Sequence, residues 1–320
     1  MPTFRVAILE CDTPLDKVLD KYGSYGDIFT ALLKQASEEV ASEVGEKVQV
    51  ECTNYDVVTK QEYPEDLDKV DAILMTGSSK SISIFSKTWS SIYREKTRRT
   101  RVEKTRGELR KKPCARIEIN TDSLSSPEHN SFDNDPWILK LVYFTKKILD
   151  SQSRIRVLGI CFGHQIVGRA LGAKVARGTQ GWEVSVTPLE LTSVGKEIFG
   201  VETLVSLSLC LPSDSFKAWR LTEKQSIHQM HQDMVYTYPT DVLPLAHTTR
   251  CENQGMYAKG RLITVQGHPE FNGEMVTHIL TARHDAGVFK DEIYEDGIKR
   301  VGETHGGEVI AKAFVKFLMD

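Results

Sequence analysis

The sequence predicts an α/β fold, a single three-layer domain over residues 1–320 with a mostly parallel central sheet between helices. Three observations predict it. Short apolar runs rich in β-branched residues, at 4–9, 48–52, 72–75, 154–160 and 262–265, alternate with stretches of helical periodicity. Polar turns such as Thr76-Gly77-Ser78 follow these runs at once, as loops do at the carboxyl ends of parallel strands. At Gly159-Ile160-Cys161-Phe162-Gly163 a strand gives way to a helix across one cysteine, the layout of a nucleophile elbow with Cys in place of Ser.

Each element has its own signal. Residues 4–9 read as the first strand, and 28–44 carry helical periodicity before Gly45 stops them. Strands at 48–52 and 72–75 follow. Asp135 can cap and Pro136 can open a helix through Ile138, Leu141, Val142 and Ile148, which leads into the strand before Cys161. Behind the elbow helix, 173–184 reads as strand, glycine-bearing loop and strand. The compact segments 227–233 and 262–271 come next, and helices around 275–282 and 308–318 close the chain.

Composition narrows the function classes. A chain of 320 residues can bury a core, and 40% hydrophobic, 27% charged and a net charge of −3 describe an ordinary soluble protein. No apolar run reaches the roughly 18 residues of a membrane span, and the first nine residues run straight into polar sequence, so they read as a strand and not a signal peptide. Cys11, Cys52, Cys114, Cys161, Cys210 and Cys251 are scattered without C-x-x-C spacing, which argues against a zinc site or disulfide framework and fits a reducing cytoplasm. No cofactor, metal, membrane or nucleic-acid partner is expected.

The chemistry gathers around Cys161. A lone cysteine at a strand end is commonly a small buried hydrophobe, whereas one exposed at a helix N-terminus has its thiolate favoured by backbone N–H groups and the helix dipole. Gln266-Gly267-His268-Pro269-Glu270 decides between them. It follows an apolar strand, so His268 can take a proton from Cys161 while Glu270 holds the imidazole tautomer. An oxyanion formed at Cys161 needs fixed donors, best supplied by the backbone N–H groups of Phe162 and of the Gly77-Ser78 turn.

Gly159-Ile160-Cys161-Phe162-Gly163-His164-Gln165 and His268-Pro269-Glu270 complete the G-[IV]-C-x-G-x-Q and H-P-E motifs, and the chain resembles the class I glutamine amidotransferases. The T-G-S loop, the F-D-N-D-x-W-I helix start, the G-W-E loop and the H-x-x-H-x-D segment resemble stand-alone fungal and plant members, including plant γ-glutamyl peptidases. The resemblance implies a flavodoxin-like topology and a small-molecule substrate, glutamine or a γ-glutamyl compound. Cys161 is then the nucleophile, His268 the proton shuttle and Glu270 its orienter, with Gly77 and Phe162 at the oxyanion. Gln165 and the backbone of the Gly181-Trp182 loop then hold the glutamyl head. With no second catalytic domain in the chain, any nitrogen acceptor belongs to a separate synthase.

Two stretches fall outside this pattern. Residues 79–127 hold 13 Lys and Arg against 5 Asp and Glu, a composition that forms no core; the other reading, a nucleic-acid patch, lacks aromatic interleaving. Residues 205–225 show neither periodicity. Deleting both leaves 250 residues and restores the family pattern at each join, and codons for Val205-Ser206, for Ser79-Lys80-Ser81 and for Gln225 accommodate intron borders. Each stretch therefore reads as a retained intron translated in frame, with lineage-specific loops as the alternative. Because the first enters directly after Ser78, a second functional reading is an impaired binding protein of the same fold. A third, a relative of cysteine-elbow chaperones and peptidases, fits less well because those lack the late His-Pro-Glu.

Overall fold

A computed structural model describes residues 2–78, 130–200 and 225–320. The two aperiodic stretches lie outside these residues, except that Gln225 opens a strand. In chain order come β1 (Thr3–Glu10), α1 (Asp16–Tyr22), α2 (Tyr25–Val44), β2 (Gln49–Asp56), β3 (Ala72–Met75), α3 (Pro136–Ser151), β4 (Arg156–Ile160) and α4 (Phe162–Ala170). Then follow β5 (Val175–Arg177), β6 (Glu183–Leu191), α5 (Ser193–Ile198), β7 (Gln225–His231), β8 (Asp233–Val235), β9 (Leu243–Pro244) and β10 (Ala246–His247). The chain ends with β11 (Gly255–Ala258), β12 (Leu262–Val265), α6 (Gly273–Asp285), α7 (Asp291–Arg300) and α8 (Gly307–Met319).

The main sheet runs β2-β1-β3-β4-β12-β11-β9. Its first five strands in that order are parallel and the last two antiparallel. Strand alternation divides the core into two layers. Val6 and Ile8 of β1 join Leu74, Leu158 and Ile160 against Phe29 and Leu33 of α2 and Phe314 of α8. Ala7 and Leu9 face the other way, with Ile73, Met75 and Val157 against Ile138, Leu141 and Ile148 of α3 and Ile166 of α4. Each such aliphatic side chain contributes about 1.5–3 kcal/mol on full burial. A three-layer, mostly parallel α/β domain is thus what the described residues form.

The local signals hold with adjustments. A capping box of Ser24 and Asp27 starts α2 ahead of residue 28, and Gly45, at φ 72°, ends it. Pro136 opens α3 and Asp135 stands at the N-cap position, but its side chain makes no capping bond. Helices α1, α5 and α7 are additions to the sequence reading; all three are short, and none presents a long apolar stripe. No helix among the described residues is long and apolar enough to cross a membrane.

Candidate active site

Strand β4 is central in the sheet and delivers Cys161 to its carboxyl edge. Cys161 has φ 51° and ψ −102°, a conformation that costs a non-glycine residue about 1–3 kcal/mol. Three backbone bonds hold it: Cys161 N–H to the Val265 carbonyl (2.9 Å), Gln165 N–H to the Cys161 carbonyl (3.1 Å) and Gly163 N–H to the Thr76 carbonyl (3.2 Å). The turn is tight enough that a Cβ on Gly163 would lie 2.4 Å from the Met75 carbonyl oxygen. The sequence reading placed Cys161 in the open, but only 5% of it is exposed. It lies beside His268 and Gly77.

His268 follows β12, and its N–H donates to the His228 carbonyl (2.8 Å). Its Nδ1 is 2.7 Å from Glu270 Oε1, and its ring lies parallel to Phe271 with centroids 4.1 Å apart. A carboxylate only accepts, so Nδ1 carries a proton and Nε2 is left for Cys161, with which the ring also hydrogen-bonds. Burial, the largest influence, disfavours the charged ring. The charges of Glu270 and Cys161 and the bonds to both outweigh it and raise the imidazole to about 10. The arrangement therefore favours the protonated imidazole beside Cys161.

Gly77 completes the junction. A Cβ built there would fall 2.7 Å from His268 Cε1 and 3.5 Å from Cys161 Cβ, so the turn touches both groups. Phe162 opens α4 with its N–H beside Cys161, while its ring stacks on Trp137 at 5.5 Å. Gln165 is 3% exposed and its amide is committed to the protein: the carbonyl accepts from Ser131 Oγ (2.8 Å), and Nε2 donates to the Asp233 carbonyl (2.8 Å) and Gln266 Oε1 (3.1 Å). In this arrangement Gln165 ties α4 to its neighbours and offers the glutamyl head only one remaining lone pair.

Gly181, at φ 83°, precedes Trp182 in the loop before β6. The Trp182 ring packs into the cluster of Phe271, Met275 and Phe289, edge-on to Phe289 at 5.1 Å, with the Arg283 guanidinium 4.8 Å from its centre. Its carbonyl accepts from Arg250 (2.5 Å). Gly181 and Trp182 line a cavity of about 680 Å³ with Arg250, Glu292 and Arg300, and neither Cys161 nor His268 lines it. Apolar packing holds the Trp182 indole in the cluster that contains Phe271, the ring stacked on His268.

Sequence reasoning missed a buried polar set beneath this site. Glu183 accepts from Thr248 Oγ1 and Gln254 Nε2 (both 2.7 Å) and lies 3.0 Å from His231 Nε2; His231 Nδ1 meets the Asp233 carbonyl at 3.1 Å. Burial pushes Glu183 up, but His231 and Thr248 hold it below the usual carboxylate range. The donor atoms of Glu183, His231 and Cys251 lie within 4.8 Å of one another, the one such trio among the described residues. Thr248 and Gln254 already occupy the carboxylate, and burial raises the Cys251 thiol to about 12, so hydrogen bonding accounts for the trio better than a metal does. The H-x-x-H-x-D spacing was the available signal, since it contains His231 and Asp233.

Comparison with known proteins now bears on this geometry. A family model described as glutamine amidotransferase class-I matches residues 134–283, a span that contains Cys161, Gln165, His268 and Glu270. Gamma-glutamyl peptidase 2 of Arabidopsis thaliana is 30% identical over 197 residues, 60% of this chain and 72% of that protein. The chain belongs to the class-I glutamine amidotransferase family. A glutamine amidotransferase-like protein of Schizosaccharomyces pombe is 28% identical to this family member over 320 residues, 99% of each chain. A glutamine amidotransferase of Thermotoga maritima, solved by crystallography, superposes over the whole of both chains with a TM-score of 0.54 at 14% identity, and agrees in fold.

Proposed function

We propose that this amidotransferase-family protein hydrolyses the γ-amide of glutamine or of a γ-glutamyl compound through a Cys161 thioester. The observation that carries the reading is the chain of contacts from the strained Cys161 to His268 and from His268 to Glu270. The Cys161 thiolate adds to the γ-carbonyl carbon and the carbonyl electron pair moves to oxygen. N–H groups of Phe162 and the Gly77 turn receive that oxyanion. Collapse breaks the C–N bond as the imidazolium of His268 protonates the leaving nitrogen, so ammonia or an amine departs and a thioester remains. Neutral His268 then takes a proton from water as its oxygen adds, and a second collapse releases glutamate and restores the thiolate. Glu270 holds the ring throughout.

Similarity to a γ-glutamyl peptidase supports hydrolysis as the outcome, with the nitrogen released or passed to a separate synthase. The close approach of Gly77 to Cys161 and His268 favours a working enzyme over an impaired binding protein, because the turn meets both groups. Free thiols at Cys11, Cys52, Cys161 and Cys251 support a reducing compartment such as the cytoplasm. The test is glutamate release from glutamine and from glutathione by this chain and by Cys161→Ala. Release only by the unaltered chain supports the mechanism, and equal release by both overturns it.

A further inference from the structure

We propose that Thr76 is a positioning residue for the oxyanion-binding turn, its hydroxyl fixing the peptide that joins Gly77 to Ser78. The inference rests on the proposed function and adds to it the group that sets the donors. Thr76 is fully buried at the end of β3. Its N–H donates to the Leu9 carbonyl (3.2 Å) and its carbonyl accepts from Gly163 N–H (3.2 Å). Its hydroxyl accepts from Cys11 N–H and donates to the Gly77 carbonyl, both at 3.0 Å. N–H and C=O point in opposite directions across a trans peptide, so fixing a carbonyl also aims the next N–H. Gly163 thereby sets the Gly77 N–H, and the Thr76 hydroxyl sets the Ser78 N–H. Neither N–H bonds a backbone carbonyl among the described residues. Glycine has little conformational preference of its own, so this orientation must be imposed from outside, and the hydroxyl ties it to the end of β1.

The test compares Thr76→Ser, which keeps both hydroxyl bonds, with Thr76→Val, which keeps the shape and loses them. Glutamine hydrolysis gives kcat and KM, and alkylation by iodoacetamide reports the reactivity of Cys161 separately. We expect Thr76→Val to lower kcat by about 100-fold with KM within about threefold, the loss typical of a removed oxyanion donor. Thr76→Ser should stay within about threefold of the unaltered chain, and alkylation rates should not change in either variant. Hydrogen exchange at the Ser78 amide, which needs no turnover, should quicken in Thr76→Val alone. Thr76→Cys, a weaker hydrogen-bonding replacement, gives a smaller loss and serves if the valine variant does not fold. Unchanged kcat and exchange in Thr76→Val, or an equal loss in Thr76→Ser, overturns the inference. An unaltered chain no better than Cys161→Ala instead overturns the proposed function, while the exchange comparison still decides the role of Thr76.

Discussion

Replacing Gly77 by alanine tests the site at its tightest point. The φ angle of Gly77 lies outside the left-handed region, so the effect comes from the added methyl and not from backbone strain. That Cβ would stand 2.7 Å from His268 Cε1, where carbon atoms prefer about 3.5–4.0 Å. The ring must retreat by about 0.8 Å to restore ordinary contact. It cannot do so freely, since Phe271 stacks on it at 4.1 Å and Glu270 holds Nδ1 at 2.7 Å. Retreat therefore lengthens the bond to Cys161, and a misplacement of about 1 Å costs on the order of 100-fold. The expected result for Gly77→Ala is a kcat for glutamate release lower by about 30- to 100-fold, with a stability loss of about 1–3 kcal/mol from overpacking. Steady-state kinetics and thermal unfolding measure the two effects. A folded variant with kcat within about threefold of the unaltered chain would show that Gly77 does not border the reacting groups.

Other perturbations have equally direct outcomes. Glu270→Gln removes the charge that supports the His268 imidazolium, and it should lower kcat by at least about 100-fold and slow Cys161 alkylation near pH 6–7; unchanged alkylation contradicts the ion pair. Burial lowers His164 and His228 to about 3 each, so below about pH 6.5 the unfolded chain takes up two protons that the folded one refuses. Stability should fall by about 1.4 kcal/mol per pH unit for each as pH drops from 6.5 toward 3, as urea unfolding at pH 7 and pH 5 will read, and a flat profile refutes it. For His268, raised to about 10, the sign is opposite: its contribution is complete below about 6.5 and is lost as pH rises toward 10. Glu183→Leu leaves the Thr248 hydroxyl, the Gln254 amide and His231 Nε2 without their buried acceptor and should cost at least about 1–3 kcal/mol; an unfolding midpoint equal to that of the unaltered chain disproves the network.

Much of the fold was legible because its signals are local. Alternation in β1, the glycine stop after α2, Pro136 at the start of α3 and the tight turn at Cys161 each depend on a few adjacent residues. That Cys161 and His268 meet was legible for the same reason, since each follows an apolar strand and parallel strands bring those ends to one edge. Helices α1, α5 and α7 were not, because short helices have too little apolar stripe to register.

What only the tertiary structure decided are the partners brought in from distant parts of the chain. Cys161 is buried and not exposed, with Gly77 and His268 beside it. Gln165 is engaged by Ser131, Asp233 and Gln266, and the Trp182 ring packs with Phe271, Met275 and Phe289. Glu183, His231, Thr248 and Gln254 became one network only when β6, β7 and the loop before β11 came together. The amino-acid sequence by itself determined which residues have the chemistry and at which strand ends they stand. Their hydrogen-bond partners and their cover were set by packing, since those contacts depend on which strand lies beside which and carry no local pattern to read.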